Sequence, residues 1–183
     1  VLESKLDTRS EVFHQNLSDM RERLNQLQEL YDEAAEGGGE EAVARIRKRG
    51  KMPIRERIAH VLDQDSPFLE ISPLAAWRSS YDIGSGFVVG IGVIEGVECV
   101  ILGHDPSVRA GAFNPFNAKK LMRGLEIARE NRMPYVQFVE SAGADLRGAS
   151  DGGNGDPNAA AEADIRRDID HFAESGRLFY EIS

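Results

Sequence analysis

Two apolar, β-rich runs, Gly86 to Ile94 and Val97 to Leu102, are separated only by Glu95 and Gly96. A two-residue connection permits nothing but a tight reversal, so the runs must pair as a β-hairpin. Everything else in the chain has to be arranged around that hairpin. Its glycines, in GSGFVVGIG from Gly84 to Gly92, resemble a dinucleotide fingerprint. That fingerprint requires a helix directly after the glycines to hold a pyrophosphate, and here a strand follows. The glycines are better read as twist and bulge positions.

The N-terminal third is helical. Thr8-Arg9-Ser10-Glu11 has the pattern of a capping box, so a helix is expected from there. Phe13, Leu17, Met20, Leu24, Leu27 and Tyr31 then recur at alternating spacings of four and three, which puts an apolar seam along one face. The seam has two readings: it packs on its own domain, or it grips another subunit. Gly37-Gly38-Gly39 ends the helix. A short basic helix, Glu40 to Arg49, follows, and Pro53 opens another over Ile54 to Asp63. Residues 1–49 are read as a helical arm and 50–183 as a second, partial domain.

Phe68 to Ile71 is strand-like. Asn117 is placed to cap a helix whose apolar positions, Ala118, Leu121, Met122 and Leu125, keep helical spacing as far as Asn131. Its other face carries Lys119, Lys120 and Arg123. Tyr135 to Val139 is a short strand stopping at Ser141-Ala142-Gly143-Ala144. Asp151 to Pro157 is too rich in Gly, Asn and Asp to be anything but a loop, and a last helix is expected over Asn158 to Ile182.

Composition excludes several functions. A net charge of -9 opposes binding to nucleic acid or an anionic membrane, both of which need a cationic surface. The chain has no apolar stretch of about 18 residues to span a bilayer. Cys99 is the only cysteine, and His14, His60, His104 and His171 lack the spacing that places two imidazoles on one ion. No metal site is expected. No P-loop, GxSxG or HExxH occurs. The chain begins at Val1 with no leader segment, as if cropped, and a cytoplasmic location is expected, or the mitochondrial matrix in a eukaryote.

Two strand exits remain as places for chemistry. One is Ser141-Ala142-Gly143-Ala144, and the other runs from His104 to Ala112, ending in Ala110-Gly111-Ala112. Small residues at strand exits can bare backbone N–H groups that hold an oxygen as it becomes negative. They can equally serve only to let the backbone turn. The residues alone leave both readings open.

From about Gly50 to Tyr180 the chain resembles the carboxyltransferase β subunits of biotin-dependent acyl-CoA carboxylases. The resemblance rests on collinear segments: RGKMPIRERI (Arg49 to Ile58), VLDQDSPFLEIS (Val61 to Ser72), VVGIGVIEGVECVILGHDPSVRAGA (Val88 to Ala112), NAKKLMRGLEIARENRMP (Asn117 to Pro134) and ESAGA (Glu140 to Ala144). It implies an α/β fold of the crotonase-like kind, ββα units winding into a superhelix, here with a helical N-terminal arm. It also implies carboxyl transfer from carboxybiotin, on a separate carrier, to an acyl-CoA through a thioester enolate, the ureido nitrogen taking the substrate proton.

By the same resemblance, the N–H groups of Ala142 and Gly143 form an oxyanion hole. Ala110, Gly111 and Ala112 line the thioester pocket, and Lys119, Lys120 and Arg123 face CoA phosphates, although exposed helix faces are often basic in any case. The family's usual Ser-Gly-Gly-Ala reads Ser-Ala-Gly-Ala here, which bears on pocket width. The polar loop over Asp151 to Pro157 is a second departure, bearing on substrate selection. Implied partners are the rest of the carboxyltransferase, further copies, and an α subunit with biotin carboxylase and biotin carrier; this segment alone is expected to be inactive. SPFLE (Ser66 to Glu70) and the residues from Asp170 to Tyr180 lean toward the methylcrotonyl-CoA branch over the propionyl-CoA branch, with long-chain acyl groups open. A decarboxylase carboxyltransferase and a non-catalytic acyl-CoA-binding or assembly module are the competing readings.

Overall fold

In the computed structural model, residues 4, 6–143 and 145 are described. The loop over Asp151 to Pro157 and the last expected helix lie outside them. The order is α1 (Glu11–Glu36), α2 (Gly39–Lys48), α3 (Ile54–Val61), β1 (Leu69–Glu70), β2 (Phe87–Ile94), β3 (Val97–His104), a 3-10 turn at Arg109–Gly111, α4 (Pro115–Asn131) and β4 (Tyr135–Phe138). This is the mixed α/β arrangement expected, with the helical region first.

The hairpin forms in the register that its connection demands, Ile94 opposite Val97 and Phe87 opposite His104. Glu95 and Gly96 both take positive φ, 50° and 75°. That combination makes the reversal whose twist matches the strands, and only glycine takes the second position without strain. The carboxylate of Asp63, just after α3, accepts both turn N–H groups at 2.7 Å. β1 extends the sheet antiparallel on one side and β4 runs parallel to β3 on the other, giving the order β1-β2-β3-β4.

Because α4 connects β3 to a parallel β4, it must cross one face of the sheet. Phe87, Val89, Val100 and Leu102 on that face pack against Leu121, Leu125 and Ala128 of α4. Val88, Cys99 and Ile101 point the opposite way, onto Ile54 and Ile58 of α3. Helices therefore cover both faces, which explains why the hairpin strands are nearly continuous apolar runs.

Two expected caps are corrected. α1 is capped by Ser10, whose hydroxyl accepts the Phe13 N–H at 3.2 Å, so the helix starts after Ser10 and Thr8 takes no part. α4 is capped by Asn114, with Pro115 at its first position; Asn117 is the other half of a reciprocal box, its side-chain oxygen accepting the Asn114 N–H at 2.8 Å. Proline after asparagine starts the helix one turn earlier because its fixed φ suits the first position. Among the described residues, most of the α1 seam is left uncovered. Met20, Leu24 and Tyr31 are exposed and Phe13, Leu17 and Leu27 half-buried, while only Ala34, in the last turn, is buried.

Candidate functional site

β3 and β4 are parallel neighbours, Gly103 opposite Phe138, so their C-terminal ends leave the sheet at the same edge. The two exit segments then run on side by side in the same parallel sense and bond to each other. The Phe113 N–H donates to the Gly143 carbonyl at 2.8 Å, the Asp145 N–H to the Phe113 carbonyl at 2.8 Å, and the Ala142 N–H to the Ala110 carbonyl at 3.1 Å. The backbone at Gly111 passes so close to the Glu140 carbonyl that a Cβ there would lie 2.1 Å from its oxygen. Arg109, Ala110 and Gly111 all have left-handed backbone, φ 46°, 55° and 68°. Such a run is sterically costly for the first two and persists only where surrounding contacts enforce it.

Those contacts come from charged groups on other elements. The Arg109 guanidinium donates to Asp82 at 3.0 Å, to Asp145 at 3.1 Å and to the Ser80 carbonyl at 3.3 Å, and lies over the Tyr81 ring. Its partners, Asp82 foremost and then Asp145, hold its pKa above the usual guanidinium range against the effect of burial. On the second exit, Glu140 accepts from Lys51 at 2.6 Å and Arg57 at 3.2 Å. The Lys51 hydrogen bond, aided by Arg57, lowers the Glu140 pKa despite partial burial, so Glu140 is held ionised.

The N-terminal turn of α4 clamps the region from below. The Asn117 amide donates to Ser85 O at 3.1 Å and Ala112 O at 2.9 Å, and Asn114 also donates to Ser85 O at 3.1 Å. Lys120 is buried, donating from Nζ to Phe87 O at 2.7 Å, with Glu70 Oε1 4.0 Å away. Desolvation pulls its pKa down to about 8, opposed by Glu70. Glu70 is itself gripped by Arg55 at 2.7 and 3.0 Å. His104, at the end of β3, is buried, stacked on Phe87 at 4.2 Å and edge-on to Phe113 at 5.2 Å. Burial lowers its pKa, with the Gly111 backbone acting in the other direction.

The expected site residues therefore divide. Ala110, Ala142 and Gly143 are exposed and adjacent where the two exits pair, whereas Gly111 and Ala112 are buried. Both amides expected to be open have a partner: the Ala142 N–H donates to the Ala110 carbonyl of the neighbouring exit at 3.1 Å, and the Gly143 N–H donates at 3.1 Å to the hydroxyl of Ser141. The basic face needs correction. Lys119 and Arg123 are exposed, with Arg123 paired to Glu126, but Lys120 points into the sheet. One residue of rotation, about 100°, separates Lys120 from Lys119. Arg109, Glu140, Lys51, Arg57 and Asn114 carry no motif in the sequence that marks them as part of the site. Only the abundance of positive φ across three residues marks the first exit as unusual, and that is not written in residue types.

A cleft of about 450 Å³ lies elsewhere, between the end of α1, α2, α3 and Asp105; none of residues 109–113 or 140–143 lines it. Among the described residues no cluster of histidine, cysteine or carboxylates is arranged to hold a metal ion, and no helix is long and apolar enough to cross a membrane.

Residues 45–163 match the family described as the carboxyl transferase domain. The chain belongs to this family. It is 43% identical over 146 residues to a probable biotin-dependent acyl-coenzyme A carboxylase beta2 subunit of Mycobacterium tuberculosis, covering 80% of this chain and 28% of that protein. It is 38% identical over 183 residues to the mitochondrial methylcrotonoyl-CoA carboxylase beta chain of Dictyostelium discoideum, covering 98% and 28%. Among solved structures, the beta subunit of P. aeruginosa geranyl-CoA carboxylase superposes with a TM-score of 0.71 at 37% identity, covering 81% of this chain and 28% of that one. The carboxyl transferase domain family thus accounts for the fold, and this chain spans less than a third of the length of these relatives.

Proposed function

We propose that this chain supplies the acyl-CoA side of a carboxyltransferase site, with the Gly143 N–H as a donor to the thioester oxygen. The observation that carries the proposal is the state of that amide. It sits at an exposed strand exit, at φ 100°, with no atom within 4 Å of where a side chain would begin, and its partner is one exposed hydroxyl. A serine hydroxyl rotates freely, so an arriving carbonyl can take its place at little cost.

Ala142 joins as a second donor only by giving up its bond to Ala110. That bond contributes about 0.5–1.5 kcal/mol net, against about 2.7–4 kcal/mol for a donor aimed at a developing oxyanion. The exchange is favourable in the transition state and unfavourable without substrate. Lys119 and Arg123, exposed on α4, suit the phosphates of CoA; Lys120 acts instead as a brace, its Nζ holding the Phe87 carbonyl. Ala110 lines the thioester side, with Gly111 and Ala112 as its buried support.

The side chains beside the paired exits fit a reaction in which protein acid–base groups stay idle. Glu140 is held ionised by two cations, and Arg109 is held charged by two carboxylates. Carboxybiotin on its carrier would supply the carboxyl group, as CO2, and the nitrogen left behind would take the substrate proton. The C–H electron pair moves onto the thioester oxygen, where Gly143 steadies it, and returns as the new C–C bond forms. The names of two relatives, methylcrotonoyl-CoA and geranyl-CoA carboxylase, share a 3-methyl-2-enoyl thioester, and this acyl class is the substrate we assign. Assembly with the remainder of the carboxyltransferase, further copies and a biotin-bearing α subunit completes the proposed enzyme.

The test replaces the Gly143 amide N–H by an ester oxygen, using glycolic acid at that position in the full-length enzyme. Proline is unsuitable, since its ring cannot reach φ 100°. Carboxyl transfer is expected to fall ~10²–10³-fold with little change in acyl-CoA binding. Turnover within twofold of the parent removes Gly143 from the mechanism.

A further inference from the structure

The face of α1 that nothing covers among the described residues has a charge pattern more specific than its apolar seam. In heptad terms Phe13, Met20 and Leu27 take the d positions and Leu17, Leu24 and Tyr31 the a positions. Every acidic residue of the helix, Glu11, Asp19, Glu22, Glu29, Asp32, Glu33 and Glu36, then falls at b, c or f, on the outer side. The flanking e and g positions carry His14, Asn16, Arg21, Arg23, Gln28 and Leu30, with no carboxylate. A helix with a strongly acidic surface thus offers an apolar stripe edged only by cations and neutral groups. Met20 and Leu24, between the two arginines, are 56% and 54% exposed. The helix is tied to the body at its far end, where Ala34 is buried and Arg55 donates to the Ala34 carbonyl at 3.4 Å.

A second copy of α1 is a poor occupant. Antiparallel pairing centres on Arg21 and Arg23 and opposes like charges there. Parallel pairing sets Asn16 beside Arg21 and Arg23 beside Gln28, with no opposite charge to gain. We propose that α1 docks an amphipathic helix of a partner protein whose apolar stripe is flanked by Asp and Glu, so that the partner's carboxylates meet Arg21 and Arg23. This surface is independent of the strand-exit site, and nothing in the carboxyltransferase proposal depends on it.

The test uses the full-length protein and two labelled helical peptides of three heptads, with leucine at a and d and either glutamate or lysine at e and g. Anisotropy titration is expected to show the glutamate peptide binding roughly tenfold tighter than its lysine twin at low salt, the gap closing in high salt. Arg21→Glu/Arg23→Glu should reverse the preference, and Met20→Asp/Leu24→Asp should abolish binding with the circular dichroism unchanged. Equal affinity for both peptides, binding of neither, or a preference unmoved by the arginine substitutions overturns the proposal. So does dissociation of the protein's own oligomer in Met20→Asp/Leu24→Asp, which would give the seam to a second copy.

Discussion

Substituting Gly111 by alanine tests whether the close pairing of the two exits holds the candidate site. Two costs apply. At φ 68° an alanine sits in left-handed backbone, which costs about 1 kcal/mol or slightly more. In addition the new methyl carbon would stand 2.1 Å from the Glu140 carbonyl oxygen, and neither party is a flexible side chain. Relief needs the exits to separate by about 1 Å, enough to take the Ala142–Ala110 and Phe113–Gly143 bonds beyond hydrogen-bonding range. Two lost bonds contribute about 1 kcal/mol each, so the total is ~3 kcal/mol. Gly96→Ala is the matched control, because Gly96 has φ 75° with no atom within 4 Å of its missing Cβ, and so carries only the backbone cost of ~1 kcal/mol. Urea unfolding of both variants should show Gly111→Ala the weaker by ~2 kcal/mol. In the assembled enzyme it should also lower turnover on the order of 10²-fold, as a misplacement of about 1 Å can. If the two variants unfold within about 0.5 kcal/mol of each other, the steric reasoning is wrong.

Lys120→Met should destabilise the fold by about 1–3 kcal/mol, since the Phe87 carbonyl loses its buried donor, and urea midpoints at neutral pH would show it. The same variant should change the alkaline profile: with the folded pKa near 8 and the unfolded value 10.5, the unfolded chain holds more protons between them, so Lys120 makes stability rise with pH in that window and the variant loses the rise. His104→Phe keeps the stacking but removes a group whose folded pKa lies below its ordinary 6.5. The parent should therefore lose stability relative to the variant as pH falls through that region, measured by denaturant midpoints at pH 7, 6 and 5. Glu140→Gln weakens the hold of Lys51 and Arg57, and should cost ~1 kcal/mol above the carboxylate range. Because its folded pKa is depressed, the parent's advantage is present above the unfolded value and disappears as pH falls through the folded one.

Much of the fold is legible in local pattern. Glu95-Gly96 between two apolar runs permits one connection, and the register observed is the one it demands. The ends of α1 and α4 at Gly37 and Asn131 follow from the residues there, whereas their starts do not follow the residues first chosen. Thr8 and Ser10 both precede the α1 stripe, and which hydroxyl caps depends on backbone geometry that residue type leaves open. Asn117 does stand at the start of α4, but it works as the partner of Asn114, and Pro115 between them decides where the first turn begins.

The site is less legible because its properties belong to pairs of segments far apart in the chain. Small residues at 110–112 and 141–143 are visible in the sequence, yet the fate of each amide depends on how the exits pair, and no local pattern encodes that Ala110 accepts from Ala142. The same limit applies to charge. Lys119 and Lys120 are adjacent and chemically identical, but a rotation of about 100° sends one to solvent and the other to the Phe87 carbonyl. A buried lysine then needs a carboxylate within reach, and Glu70 serves only because Arg55 already fixes its position. The chain from Arg55 through Glu70 and Lys120 to the Phe87 carbonyl thus joins α3, β1, α4 and β2 near the root of the hairpin. The strand exits that form the candidate site follow directly from the strands this chain ties together, so the charges of Arg55, Glu70 and Lys120 serve to position them.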